Sequence, residues 1–409
     1  MSHAKAMNRR RFLNRGAQAV TALGLRAVLP KGSVLGANDQ IRVGLIGSGG
    51  RGQFLLKVFQ EAGAAVAAVS DVYQPNLQAG MEQAGPQAKS WGDYRRLLED
   101  KSLDAVIVAT PDHWHARMVI DAVSAGKDVY VEKPLCHAIS EGFDVIKKVR
   151  ELKRIVQVGT QRRSYPIYRE AKAIVDSGKL GPVRLVTAWW LNHQSSLNSS
   201  PLKGELDWKQ WLGPAPYRPL DPLRFHNWYY FSDYSGGMLV GQGAHVVDTI
   251  QWFLNSSYPE AVTCNAGRIH IEGAEVPETT VVNVEYPEDY LATMTVGYSA
   301  MEYSRNNDQL KQFHGEKARL DMSRESFALY LKSKEKVLKP EIEKQVGGTF
   351  DSATLDHVRN FLECMRTRQD PNTPVEMGHS ASVVLCLALE SLRSGRRIRW
   401  DAAKRQVLA

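Results

Sequence analysis

The run Asp128-Val129-Tyr130-Val131 is followed at once by Glu132, Lys133 and Pro134. An apolar run of this length reads as a buried strand, so its end delivers a charged pair to the rim of a sheet. An ammonium in such a place is either solvated or in use. Partial desolvation beside a reacting oxygen would pull its pKa toward working pH and suit it to acid–base work. His245 is a second candidate, because an imidazole titrates near neutrality and accepts a proton. On the residues alone, a lone histidine before an apolar helix is more often structural. The third constellation is Gly47-Ser48-Gly49-Gly50-Arg51-Gly52, which fits G-x-G-x-x-G. In that pattern Gly47 permits a tight turn, Gly49 lets backbone approach a pyrophosphate, and Gly52 allows close helix–strand packing. Asp71, nineteen residues after Gly52, is placed to accept ribose hydroxyls and to repel a 2′-phosphate. Val72 and Tyr73 follow it rather than Arg or Lys, so the cofactor expected is NAD.

These residues need elements to hold them. Arg42–Ile46 reads as a strand, and Phe54, Leu55, Val58 and Phe59 after the glycines have helical spacing. Strands at 65–71, at the start of 104–115, at 127–135 and at 154–163 alternate with helices at 116–126 and 140–153. Such alternation predicts a parallel sheet with right-handed crossovers and ligands beyond its carboxyl ends. Glu132, Lys133, the segment Thr110–His115 and the segment Gly159–Arg163 all fall at such ends. After Gly178 the texture changes to a strand at 182–192, a polar loop at 193–205, an aromatic stretch, and a helix from about Ala244. Successive strand-like runs to residue 331 and helices over 352–367 and 378–395 complete the reading. The fold class expected is α/β: an N-terminal Rossmann domain plus a C-terminal α/β domain with an open, largely antiparallel sheet. The boundaries are 1–38, 39–163 and 164–409.

The net charge of +8 is unevenly placed. Lys5, Arg9, Arg10, Arg11, Arg15, Arg26 and Lys31 lie in residues 1–38 with no acid among them, and the rest is near neutral. The body therefore carries no electrostatic footprint for nucleic acid. The first segment has the order of an export signal, and Arg9-Arg10 with Phe12-Leu13 resembles a twin-arginine signal. A periplasmic or other extracytoplasmic location is expected. No run reaches the roughly 18 apolar residues of a membrane span. Cys136, Cys264, Cys364 and Cys386 match no metal or redox spacing and read as buried thiols, with a disulfide left open. His113 and His115 lack acidic or cysteine company, so no metal is expected.

Beyond residue 40 the chain resembles the Gfo/Idh/MocA oxidoreductases. The resemblance rests on GLIGSGGRG, TPDHWH, EKPL, GTQRRS, DWKQWLGPAP, GGMLVGQGAHVVDTIQW and HVRNFLECMRTRQDPNTPVEMGHSA. It implies a carbohydrate or polyol substrate lying between the second sheet and a nicotinamide. Lys133 matches the E-K-P lysine, which hydrogen-bonds the reacting hydroxyl. His245 matches the second acid–base group, at the opening of a helix. Many relatives carry Asp four residues before that histidine, where this chain has Gly241; Asp248, three residues after His245, is the alternative carboxylate to orient it. The cofactor-contacting set is Gly47, Ser48, Gly49, Gly50, Arg51, Gly52, Asp71, Thr110, Pro111, His113, His115, Glu132, Lys133 and Gln161. Arg162, Arg163, Arg224, His226 and Asp248 are substrate candidates, with Trp189, Trp190, Trp228 and Tyr230 as aromatic surfaces for sugar C–H groups. The resemblance also implies a homo-oligomer, dimer or tetramer, through the second sheet. The reaction expected is hydride transfer with tightly held NAD. The alternative is a glycosidase that oxidises a sugar transiently, eliminates the aglycone, adds water and re-reduces.

Overall fold

The computed structural model describes residues 40–305, 307–347 and 351–408. The segment 1–38, expected to direct export, and its arginines lie outside the described residues. Six short strands run through the first half: β1 (Arg42–Ile46), β2 (Ala65–Ser70), β3 (Lys89–Trp91), β4 (Ala105–Val108), β5 (Asp128–Val131) and β6 (Val156–Val158). All pair in parallel, in the order β3-β2-β1-β4-β5-β6. The central strands β1, β2 and β4 are mostly Val, Ile, Leu and Ala because both faces are covered by helices. The order reverses between β1 and β4, which opens a crevice at their carboxyl ends. Into that crevice run the glycine turn after β1, the Thr110–His115 segment after β4, and Glu132-Lys133 after β5.

The second sheet has ten strands: β7 (Val183–Leu191), β8 (Ala261–Ala266), β9 (Thr279–Tyr286), β10 (Tyr290–Gly297), β11 (Gln309–Gly315), β12 (Ala318–Met322), β13 (Ser326–Leu331), β14 (Ile342–Gln345), β15 (Ile398–Asp401) and β16 (Gln406–Leu408). Their order is β14-β13-β12-β11-β7-β10-β9-β8-β15-β16, and only β7 and β10 pair in parallel. The expected α/β class with a mostly antiparallel second sheet is thus observed. The last of the strand-like stretches, ending at residue 331, is two strands, β12 and β13, joined at the turn around Ser323, whose N–H donates to Ser326 O.

Helices Gly237–Phe253 and Val375–Ser394 cover one face of this sheet, with Val246, Val247, Ile250, Val384 and Leu387 in its core. Val375–Ser394 is long and apolar enough to cross a membrane, but here two-thirds of that stretch (67%) is buried in the protein core. Helix Asp351–Thr367 returns to the first sheet, setting Phe361 edge-on to Phe59 and Tyr130. The four cysteines are free thiols.

Candidate active site

At the first turn Gly47 has φ +86, and a Cβ there would come within 2.8 Å of the Ala109 carbonyl. A Cβ at Gly52 would collide with the Gly47 carbonyl oxygen, whereas nothing crowds Gly50. Helix Gly50–Glu61 begins with no side chain capping its first N–H groups. Uncapped donors and a bare backbone at a helix N-terminus form a cradle for a diphosphate. Beside it Asp71 accepts from Ser48 N at 2.7 Å and from Tyr73 N at 2.9 Å, which fixes the carboxylate at the tip of β2. Burial raises the Asp71 pKa, against these hydrogen bonds. A cavity of about 410 Å³ joins the glycine turn, Asp71, Asn76, Thr110 and Pro111. These residues fit the adenosine and pyrophosphate of a dinucleotide.

The cavity's far wall comes from the second half of the chain. Gln210, Trp211, Phe225, His226 and Trp228 line it from a strap over residues 203–234. The strap is tied to the chain just beyond Asp71: Gln74 N donates to Glu205 O, Asp207 N to Val72 O, and Lys203 N to the Tyr73 hydroxyl. Trp114 Nε1 donates to Trp211 O at 2.8 Å, and the Trp114 ring packs against Gly213. Spacing alone gave no sign of this strap.

A second cavity of about 340 Å³ shares Arg51, Ala109, Thr110 and Trp228 with the first and is also lined by Asp112, His115, Glu132, Lys133, Gln161, Tyr229 and His245. Lys133 Nζ donates to Gly241 O at 3.0 Å and reaches the Tyr229 hydroxyl at 3.4 Å. Burial would lower the Lys133 pKa, but the Tyr229 phenol and the Glu132 and Asp112 carboxylates outweigh it and raise it. The expected fall toward neutrality is therefore corrected: Lys133 is held as an ammonium, a hydrogen-bond donor rather than a base. His245 is the reverse. Burial first, then Arg162 and Lys133, hold its pKa well below the ordinary 6.5, so the imidazole is neutral. Its Nδ1 is buried without a hydrogen-bond partner. His245 does not open a helix as the sequence suggested; it sits near the middle of Gly237–Phe253.

The remaining candidates separate. Arg51 pairs with Glu132 at 2.6 Å, joining the glycine turn to the strand end. Gln161 Oε1 is buried and unpaired at the second cavity, an acceptor that fits a carboxamide N–H. His115 is a clamp: its Nδ1 lies 2.6 Å from Pro134 O and its Nε2 2.9 Å from Thr110 O. His113 packs on Trp211 and Tyr234 beneath the strap, where burial drives its pKa down to about 3, and it lines neither cavity. Arg163 is locked to Asp248 at 2.8 Å, both buried, so Asp248 orients no histidine. Arg162 lies buried against Tyr168, Gln309 and Trp190. None of these three lines either cavity. Arg224 is paired with Glu275 and Asp233 and braces the strap, while His226 faces the adenosine cavity. Tyr230 is a core residue beside Ile271 and Val276; its neighbour Tyr229, which no motif singled out, is the one in the cavity. Among the described residues no group of three His, Cys, Asp or Glu side chains could hold a metal.

Residues 41–160 match a family described as an oxidoreductase family with an NAD-binding Rossmann fold, and residues 168–321 match the GFO/IDH/MocA C-terminal domain, together more than half of the chain. Inositol 2-dehydrogenase 1 of Saccharopolyspora erythraea is 29% identical over 260 residues, 59% of this chain and 76% of that protein. Inositol 2-dehydrogenase of Paracoccus denitrificans is 36% identical over 53% of this chain, and the match spans 55% of its own length. The scyllo-inositol 2-dehydrogenase (NAD(+)) of Bacillus subtilis is 35% identical over 35% of this chain and 42% of its own. A solved levoglucosan dehydrogenase, in complex with NADH and levoglucosan, superposes with TM-score 0.73 at 16% identity over 88% of this chain and 99% of that one. The WlbA dehydrogenase of Bordetella pertussis does so with TM-score 0.68 at 20% identity over 89% and 99%. At these identities the two structures share the fold.

Proposed function

The chain belongs to the Gfo/Idh/MocA family of NAD-binding oxidoreductases, and from that premise we propose that it oxidises one hydroxyl of a sugar or polyol while holding NAD tightly. The observation that carries this is the meeting of Lys133 and His245 in a cavity continuous in its lining with the dinucleotide cradle. NAD supplies the hydride acceptor. The protein's own groups do the rest. The Lys133 ammonium hydrogen-bonds the substrate oxygen and stabilises charge developing on it. Neutral His245 takes the hydroxyl proton. Asp112, Gln161, Arg305, Asp351 and Thr354 make the cavity rich in donors and acceptors, which suits a ligand bearing several hydroxyls. The inositol and levoglucosan dehydrogenases among its relatives support that substrate class. The strap over the adenosine end supports tight retention of NAD.

The test is to supply NAD⁺ with myo-inositol, scyllo-inositol, levoglucosan, glucose and an aryl glucoside, following absorbance at 340 nm and the product by NMR. A ketone or lactone from at least one of them is expected. Turnover of none, or free sugar and aglycone from a glycoside with no net NADH, would sink this reading.

Two accompanying proposals concern the whole protein. Arg9-Arg10 direct export of the folded, NAD-loaded chain, so replacing both with Lys should leave the precursor in the cytoplasm; unchanged export would refute it. A second copy covers the open face of the second sheet, where Leu185 and Leu291 are paired and exposed. Light scattering should give at least a dimer, and Leu185→Asp should yield the monomer.

A further inference from the structure

Gly241 lies one helical turn before His245, and a neighbour explains why it carries no side chain. A Cβ at Gly241 would collide with Cε1, Cζ and the hydroxyl of Tyr229. The Tyr229 ring therefore fills the space that a side chain at 241 would take. Its hydroxyl is 3.4 Å from Lys133 Nζ, and the same ammonium donates to the Gly241 carbonyl at 3.0 Å. Tyr229, Lys133 and His245 all line the second cavity. Tyr229 is presented by the turn Trp228–Tyr230 of the strap, with its ring against Trp228 at 4.5 Å between centroids.

From this juxtaposition we propose that Tyr229 is a third catalytic residue, its hydroxyl donating to the reacting substrate oxygen beside the Lys133 ammonium. The inference rests on the reading that Lys133 and His245 act on a substrate hydroxyl, and it names what stands where position 241 is bare. A phenol differs from a carboxylate there in a definite way: it donates a hydrogen bond and adds no negative charge. Burial raises the Tyr229 pKa, against the pull of Lys133, so the hydroxyl keeps its proton. In the oxidation the substrate's O–H and carbinol C–H bonds break and a C=O bond forms. The proton passes to His245 and the hydride to NAD⁺. Lys133 and Tyr229 retain their protons and act as paired donors to the oxygen on which negative charge develops.

The experiment compares Tyr229→Phe, Lys133→Met and His245→Ala on the best substrate among myo-inositol, scyllo-inositol, levoglucosan and glucose. Tyr229→Phe keeps the ring and should lower kcat by roughly 10²-fold, with the NAD dissociation constant unchanged. Gly241→Ala should displace the ring, lowering both kcat and the melting temperature. In a Tyr229→Ala background the same Gly241→Ala change should leave the melting temperature unlowered, a readout that needs no substrate. Wild-type kcat in Tyr229→Phe, or an equal melting penalty for Gly241→Ala in both backgrounds, overturns the inference. If that happens while Lys133→Met and His245→Ala are inactive, the underlying reading survives. If those two turn over normally, or the wild type turns over no member of the panel, the reading fails and the inference fails with it.

Discussion

Lys133 and His245 line one cavity with opposite electrostatic fates, and the difference supports the division of work proposed for them. Lys133 keeps its charge because two carboxylates and a phenol face it, while His245 loses its charge to burial and to cations behind it. Lys133→Met should therefore remove the donor to the reacting oxygen and leave the base in place. Loss of such a group costs about 10²–10⁴-fold in rate, or roughly 3–5 kcal/mol of barrier. NAD affinity should change little, because the glycine turn and Asp71 line the other cavity. Isothermal titration with NAD and single-turnover kinetics read the two separately; a wild-type rate would return Lys133 to a structural role. The sign for His245 also follows. The base works when neutral and its pKa is depressed, so the acid limb of kcat/KM should lie well below pH 6.5. A limb at or above 6.5 would mean that another group takes the proton.

At the level of elements, the first half was legible because its signals are local. A strand, a glycine turn and a helix follow one another within twenty residues, and Asp71 ends the next strand. The helix at 237 was read seven residues late for a physical reason. Gly237, Gly241 and Gly243 each cost a helix about 1 kcal/mol relative to Ala, so the segment reads as a loop. Packing overrides propensity: a Cβ at Gly243 would come within 2.9 Å of Leu385, and Gly241 accommodates Tyr229. The strap was illegible because its partners, Val72, Tyr73 and Trp114, lie roughly a hundred residues away in sequence. It also yields a test. Gly213 has φ +49, and a Cβ there would collide with the Trp114 ring. Gly213→Ala should pry the strap from Trp114 and speed NAD release by about tenfold, equivalent to ~1.4 kcal/mol. Stopped-flow fluorescence of NADH release measures it. An unchanged off-rate would mean that the strap does not retain the cofactor.

At the scale of the whole molecule, the helix Asp351–Thr367 near the end of the chain is fastened back to the first sheet, and His357 is the fastening. Its Nε2 lies 2.9 Å from Val158 O at the end of β6, and its Nδ1 2.6 Å from Ser164 Oγ at the start of the second half. Burial holds the His357 pKa down to about 4, against the hydrogen bond to Val158. In the unfolded chain the same imidazole titrates near 6.5. Between pH 6.5 and about 4 the unfolded state therefore binds a proton that the folded state refuses. The stabilisation is complete above pH 6.5 and is lost as pH falls toward 4, at about 1.4 kcal/mol per unit. Other buried groups titrate in the same range, so the contribution is isolated by difference. His357→Gln should destabilise the protein at pH 7, by loss of packing and hydrogen bonds. Its penalty relative to wild type should then shrink by roughly 3 kcal/mol between pH 6.5 and 4, because only the wild type carries the depressed histidine. Urea unfolding of both proteins at half-unit pH intervals measures the difference. A penalty that stays constant across the window would show that His357 is not held neutral, and that it fastens the helix to the first sheet by packing alone.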